Sequence, residues 1–272
     1  MLKGAIKAVV FDWAGTMVDF GCMAPVDALT LAFAGEGVAI TPGEARADMG
    51  RAKRDHVRAL MANPRIAAAW ASAKGAAPGE ADGDRLFAAL EPLMRAQAGR
   101  CADPIPGAAA LAAALRADGV RVGSCTGYTR AMMSEVAPRA AALGYAPEVI
   151  VCAGETPSGR PSPLMLWQAL VSLDAWPAWA CLKVDDAEVG IGEGRAAGCW
   201  AIGVAASGNG VGLSFDDFQA LADEPRRALV GAAAAALEAA GAHYVVGTVA
   251  DLPPVLEAIA ARIRAGERPA AV

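Results

Sequence analysis

Residues 5–11 read as a short apolar run, ending Ala8-Val9-Val10-Phe11, that lacks polar alternation and stops at Asp12-Trp13-Ala14-Gly15-Thr16. A run of that length without alternation fits a strand covered on both faces, and the glycine behind it marks a tight turn. The pattern recurs. Residues 120–125 end in Thr126-Gly127, residues 181–184 end in Asp185-Asp186, and further strand-like runs lie at 148–151, 200–204 and 244–246. Helical spacing fills the intervals, over 107–117, 129–143, 163–173, 189–197, 225–240 and 252–263. Strand alternating with helix predicts an α/β fold, a doubly wound parallel sheet with helices on both faces. Ligands of such sheets sit beyond the carboxyl ends of the strands. Asp12, Thr126 and Asp186 all fall there.

Residues 21–100 break the alternation and read as helices throughout. Thr41-Pro42-Gly43-Glu44 is a capping box with proline at the first helical position. Asn63-Pro64 and Pro78-Gly79 separate helices, and 82–98 is a long amphipathic stretch. The expected organisation is a catalytic core of 1–20 and 101–272, with 21–100 a small all-helical domain inserted after the first strand. With 55% apolar and 19% charged residues in 272, the chain has ample material for a core. Its net charge of −5 disfavours nucleic acid as a partner. Six cysteines without a CxxC pair and only two histidines exclude a zinc site of ordinary spacing; the thiols are expected to be free and buried. No apolar run is long enough to span a membrane or serve as a signal peptide, so a soluble, cytoplasmic protein is expected.

A carboxylate at a strand end before a tight turn can be a nucleophile toward phosphorus, a metal ligand or a turn-forming cap. Asp12 alone does not distinguish these. A hydroxyl at Thr126 and carboxylates at Asp185 and Asp186 on other strand ends shift the reading to a phosphoryl-transfer site with Mg²⁺.

Asp12-x-x-Gly15-Thr16, Thr126, Arg160 in Gly159-Arg160-Pro161-Ser162-Pro163, and Asp185-Asp186 together resemble the motifs of the haloacid dehalogenase superfamily, whose helical cap the insert resembles in turn. Most phosphatases of that superfamily carry a second Asp two positions after the nucleophile to protonate the leaving oxygen. Here that position is Ala14, which argues against a phosphomonoesterase or phosphomutase. Within the superfamily, Asp12-Trp13-Ala14-Gly15-Thr16, Met49-Gly50-x-x-Lys53-x-x-His56, Thr126-Gly127-Tyr128-Thr129-Arg130 and Gly-Arg-Pro-x-Pro resemble the phosphonoacetaldehyde hydrolase family, as do Ser207-Gly208-Asn209 and Ala242-His243-Tyr244.

That resemblance implies Mg²⁺-dependent cleavage of a small-molecule phosphonate, in the degradation of 2-aminoethylphosphonate. Lys53 would condense with the aldehyde, Asp12 would attack phosphorus, and His56 would shuttle a proton. Mg²⁺ would bind Asp12, the Ala14 carbonyl and Asp186. Some relatives carry a further carboxylate at the position of Gly190, a role Asp185 would take here. Thr126, Gly127 and Arg160 would hold the phosphonate, Arg160 through a bidentate fork, helped by backbone amides of 13–16. Cys22, Met49 and Tyr128 resemble pocket residues. Lys53 must be neutral to attack, and Arg51 or Arg54 would help burial lower its pKa. Lys183 reads as structural. The apolar face near 26–33 would support a homodimer, as in the family, or close the insert's own core. The remaining alternative is a catalytically silent binding protein, against which Asp12, Lys53, Thr126, Arg160 and Asp186 stand together.

Overall fold

The computed structural model describes residue 2 and residues 4–270, the side chains of 98–100 excepted. Strands β1 (Ala8–Phe11), β2 (Arg121–Thr126), β3 (Val149–Cys152), β4 (Cys181–Asp185), β5 (Trp200–Val204) and β6 (Tyr244–Val246) form one sheet. Its order is β3-β2-β1-β4-β5-β6, and every pairing is parallel. The sheet is the doubly wound α/β arrangement expected. All of β1, β4 and β5 is buried, which is why these runs lack alternation. β1 is shorter than its apolar run, because the amides of Ala5 and Ile6 turn back to the Leu2 carbonyl (3.1 and 3.2 Å).

Five consecutive helices follow β1 and form the insert: α1 (Met23–Gly35), α2 (Pro42–Arg46), α3 (Lys53–Ala62), α4 (Pro64–Lys74) and α5 (Glu80–Cys101). The chain leaves the sheet through left-handed backbone at Asp19 and Cys22 (φ 55° and 52°). The Asp19 carboxylate then accepts the amides of Met23 and Ala24 (both 3.0 Å), capping α1. The box at Thr41 forms as its sequence implies: Thr41 Oγ1 accepts the Glu44 amide and Glu44 accepts the Thr41 amide. Asn63 ends α3 and caps α4, with Pro64 in the first turn. Val26, Leu29 and Phe33 are buried, Phe33 edge-on to Trp70 (6.4 Å between centroids), so this face of α1 closes the insert's own core. Burial of Leu86 and Leu90 on α5 adds about 1.5–3 kcal/mol each.

The sheet is flanked by α6 (Ala108–Ala117), α7 (Arg130–Ala142), α8 (Leu164–Ser172), α9 (Glu188–Ala196), α10 (Phe215–Ala220), α11 (Asp223–Ala239) and α12 (Leu252–Arg264). α10 is absent from the sequence reading. It is too short to show a period, and it is held by Ser214, whose hydroxyl accepts the Asp217 amide at 3.2 Å.

Candidate active site

Strand order reverses direction at β1 and β4, and the crevice at such a switch lies outside the carboxyl ends of those strands. Asp12 follows β1, Asp185 ends β4 and Asp186 follows it, while Thr126 ends β2. After Asp12 the chain folds into a closed turn: the amides of Thr16, Met17 and Val18 converge on the Trp13 carbonyl. The Gly15 amide donates to Val18 O (2.8 Å). The amides of Gly15 and Thr16 are therefore spent on the turn, and the sequence expectation that they serve as phosphonate donors is corrected. Gly15 has φ +83°, and a Cβ there would run into the Asp186 carboxylate and the Cys22 sulfur.

Asp12, Asp185 and Asp186 each offer a carboxylate oxygen within 4.8 Å of the others, all three buried. Asp186 accepts from Thr16 Oγ1 (3.1 Å), from the Asn209 amide (2.8 Å) and from Cys22 Sγ (3.3 Å). Cys22 Sγ is also 3.1 Å from the Ala14 carbonyl, so the thiol lies between two of the expected metal ligands. Burial, then the charges of Asp12 and Asp185, push Asp186 up to about 8. Burial and Asp185 push Asp12 up to about 6 against the pull of Arg160 and Lys183. Asp185 differs. Its burial is outweighed by Arg160 (3.4 Å) and Lys183 (3.0 Å) and by the Ala187 amide (3.0 Å), so it stays below the usual carboxylate range. The Asp185 carboxylate fills the volume that a Cβ on Gly190 would enter, so a side chain at 190 and this acid exclude one another. Hard oxygen donors, two of them buried acids with uncompensated neighbours, fit a divalent cation such as Mg²⁺.

Arg160 is wholly buried and largely committed. Nε donates to Glu193 Oε2 (3.0 Å), Nη2 to the Cys125 carbonyl (2.7 Å) and Nη1 to Asp12 Oδ1 (2.7 Å). Only Nη1 faces the nucleophile, so a bidentate fork toward phosphonate is not what this arrangement offers. Glu193, which the sequence reading missed, also lies 3.3 Å from Lys183. Lys183 is fully buried between Asp185 and Glu193, matching its structural reading.

Lys53 is the first residue of α3 and is 2% exposed. Its Nζ meets Met49 Sδ at 3.6 Å and lies 5.5 Å from the Tyr128 ring centroid. Burial lowers its pKa to about 8, with Arg160 acting in the same sense and Cys22, Asp12 and Asp186 opposing. The positive end of the α3 dipole also disfavours an ammonium there. Arg51 and Arg54 do not take the part expected of them: they pair with Asp48 (3.0 Å) and with Asp84, both half-exposed. His56, one turn along, is buried and held to about 3 by desolvation and by Lys53. Thr126 Oγ1 accepts the Tyr128 amide at 3.1 Å. Gly127 lets the insert approach, since a Cβ there would stand 2.5 Å from the Arg51 carbonyl.

One cavity is lined by Asp12, Ala14, Cys22, Met49, Lys53, Thr126, Gly127, Tyr128 and Asp186, all read from the sequence. Pro25, Gly50 and Ala187 complete the lining and carry no polar side chain that the sequence reading could use. Arg160, Asp185 and His56 stand behind the wall. His243 lies elsewhere, with Nδ1 accepting the Ala201 amide (2.9 Å) and Nε2 2.7 Å from Arg195. Among the described residues no disulfide joins the cysteines, and no helix is long and apolar enough to cross a membrane.

The sequence profile of the haloacid dehalogenase-like hydrolases matches residues 6–198. A phosphonoacetaldehyde hydrolase of Paraburkholderia phytofirmans is 52% identical over 97% of this chain and 99% of its own. One from Nitratidesulfovibrio vulgaris is 43% identical over 98% and 95%. The crystal structure of a phosphonoacetaldehyde hydrolase-like protein from Oleispira antarctica superposes with a TM-score of 0.96 at 40% identity, covering 98% of this chain and 96% of that one. A β-phosphoglucomutase from Clostridium difficile shares the fold at 14% identity, with a TM-score of 0.67 over 96% and 99% of the chains.

Proposed function

Because the chain belongs to the haloacid dehalogenase-like hydrolases and, within them, to the phosphonoacetaldehyde hydrolases, we propose that it cleaves phosphonoacetaldehyde to acetaldehyde and phosphate through an imine on Lys53 and a phosphoryl group on Asp12. The supporting observation is a dry lysine in one cavity with a strand-end aspartate, where position 14 offers only a methyl group. A C–P bond breaks heterolytically only if the carbon can accept the electron pair. Lys53 Nζ adds to the aldehyde carbon, a proton from solvent completes the departing hydroxyl as water, and an iminium remains. Asp12 then attacks phosphorus, the C–P pair moves into the iminium to form an enamine, and the phosphoryl group passes to the carboxylate. Water attacks the acyl phosphate and releases phosphate. Protonation at carbon and hydrolysis free acetaldehyde and the amine. No ester oxygen leaves, so Ala14 is compatible with the reaction.

At a pKa of about 8, about one Lys53 in ten is neutral at pH 7, against about one in 2,500 for an unperturbed lysine. His56, one turn along α3, stays a neutral ring and adds no charge beside this amine; held to about 3, it is too weak a base for the shuttle that the resemblance implies. Thr126 in the lining orients phosphonate oxygens, and Arg160 Nη1, bonded to Asp12 Oδ1, aims the attacking carboxylate. Asp12, the Ala14 carbonyl and Asp186, with Asp185 beside them, would hold Mg²⁺, which when bound reduces repulsion between carboxylate and phosphonate dianion. The substrate would come from a transaminase acting on 2-aminoethylphosphonate. The test is borohydride added to the protein with phosphonoacetaldehyde, followed by peptide mass spectrometry. A substrate-dependent adduct on Lys53 is expected. A folded, Mg²⁺-replete protein that turns over the substrate without one overturns the imine.

A further inference from the structure

Arg46, at the end of α2, bonds the start of the insert at Gly21 and reaches the sheet side of the molecule at Asn209 and Gly212. Its Nη1 donates to the Gly21 carbonyl (2.7 Å) and to Asn209 Oδ1 (3.2 Å), and its Nη2 donates to the Gly212 carbonyl (2.8 Å). Asn209 answers with Nδ2 on the Arg46 carbonyl (3.2 Å), so the one amide side chain meets both the guanidinium and the backbone of Arg46. The junction is cleared for this contact: a Cβ on Gly212, at φ +66°, would stand 2.6 Å from Arg46 Nε. Both ends of the clasp lead into the site. The Asn209 amide donates to Asp186 Oδ2 (2.8 Å). The Arg46 carbonyl also accepts the Met49 amide (3.2 Å), and Met49 Sδ contacts Lys53 Nζ.

We propose that Arg46 and Asn209 are positioning residues that set Lys53 of the insert in register with Asp186 and Asp12 of the sheet edge. A guanidinium with fixed donors suits this task because it can serve separated acceptors at once without moving, which a lysine ammonium on a flexible stem cannot. Released from the clasp, the segment carrying Met49 and Lys53 would sit less often against the sheet, and Lys53 would regain water. The charged and titratable groups facing Lys53 are Asp12, Asp186, Arg160 and Tyr128 on the sheet side, and Cys22 and His56 on the insert.

The inference rests on the proposed Lys53 imine. The experiment measures borohydride trapping of Lys53 with phosphonoacetaldehyde across pH 6–10 in the full chain and in Arg46→Ala, Arg46→Lys, Asn209→Ala and the Arg46→Ala/Asn209→Ala pair, with circular dichroism to verify folding. Arg46→Ala is expected to slow trapping about tenfold and to move its half-maximal pH upward by about one, as Lys53 becomes solvated. Arg46→Lys should not rescue it. Asn209→Ala keeps the backbone bond to Asp186 and should slow trapping about threefold, and the double variant should be no slower than Arg46→Ala, as for groups acting through one contact. Wild-type rate and pH profile in a folded Arg46→Ala overturn the proposal. If that variant does not fold, an unchanged Asn209→Ala does the same. A native chain that forms no Lys53 adduct removes the imine reading itself, which is a different outcome.

Discussion

Lys53 on α3 and Lys183 on β4 are equally withdrawn from water, and the two regions treat them in opposite ways. Around Lys183 burial and Arg160 press the pKa down, but Asp185 and Glu193, at 3.0 and 3.3 Å, more than offset them, and the ammonium is held above its ordinary range. Around Lys53 the direct contacts are a thioether and an aromatic ring, the carboxylates act from farther away, and burial prevails. Burial alone therefore does not decide whether a lysine is a structural cation or a nucleophilic amine. What decides is whether an acid is within contact distance. The sheet uses its lysine to neutralise acids beneath the site; the insert presents one with little to hold its proton.

The largest expected effect breaks the chemical half of this contrast. Lys53→Arg keeps a cation but removes the amine that lines the cavity, and C–P cleavage should fall at least about a thousandfold. Phosphate release near the native rate would reject the reading. On the stability side, Lys183→Met leaves Asp185 and Glu193 buried with Arg160 but without the lysine they share, and should cost about 3–5 kcal/mol, read by urea unfolding. Lys53→Met should do the reverse. A lysine at about 8 in the folded chain and 10.5 unfolded binds fewer protons when folded between those values, so native stability rises with pH across that window. Below pH 8 the amine's full penalty applies, about 3 kcal/mol, and Lys53→Met should recover most of it. The gain should vanish above pH 10.5. If both variants destabilise alike at pH 7, the two sites do not differ as described.

A smaller effect concerns the acids. Asp12 and Asp186 are pushed up to about 6 and 8 because negative charge is gathered out of water. A dication that relieves this binds the folded chain alone, and at a hundred times its Kd should add about 2.7 kcal/mol, a rise of several degrees in Tm. Scanning calorimetry with Mg²⁺ and with EDTA measures it. Identical transitions would remove Mg²⁺ from the site.

How much of this was readable beforehand follows the same physics. Strand ends were legible because a buried parallel strand is an uninterrupted apolar run and its first polar residue marks the crevice; Asp12, Thr126 and Asp186 lie where that rule puts them. Lys53 was legible only through its company, since a lysine opening a helix otherwise reads as a solvated charge. Glu193 was not legible. It lies 33 residues from Arg160 on a helix whose glutamates read as solvent-facing, and only the tertiary fold turns it inward. The contribution expected of Arg51 and Arg54 failed because long cations choose exposed acids such as Asp48 and Asp84 over an interior that would desolvate them. The fork expected of Arg160 failed because its Nε and Nη2 already have partners.

The smallest effect sharpens the contrast at position 14. Ala14 lines the cavity beside Asp12, and its carbonyl is among the expected metal ligands. Ala14→Asp leaves that carbonyl in place and adds a carboxyl group where ester-cleaving relatives hold their acid. In this chain the departing carbon's electrons pass into the lysine iminium, so a proton offered to a leaving oxygen has no recipient. The added charge would instead stand near Asp12, Asp186 and the phosphonate dianion, groups already short of compensation. Turnover of phosphonoacetaldehyde should therefore fall about tenfold, mainly in kcat/KM, while borohydride trapping of Lys53 continues. An unchanged or faster C–P cleavage would mean that the methyl at position 14 has no part in the chemistry. A gain of phosphate-ester hydrolysis with the loss of C–P cleavage would show that this one side chain divides the two reactions.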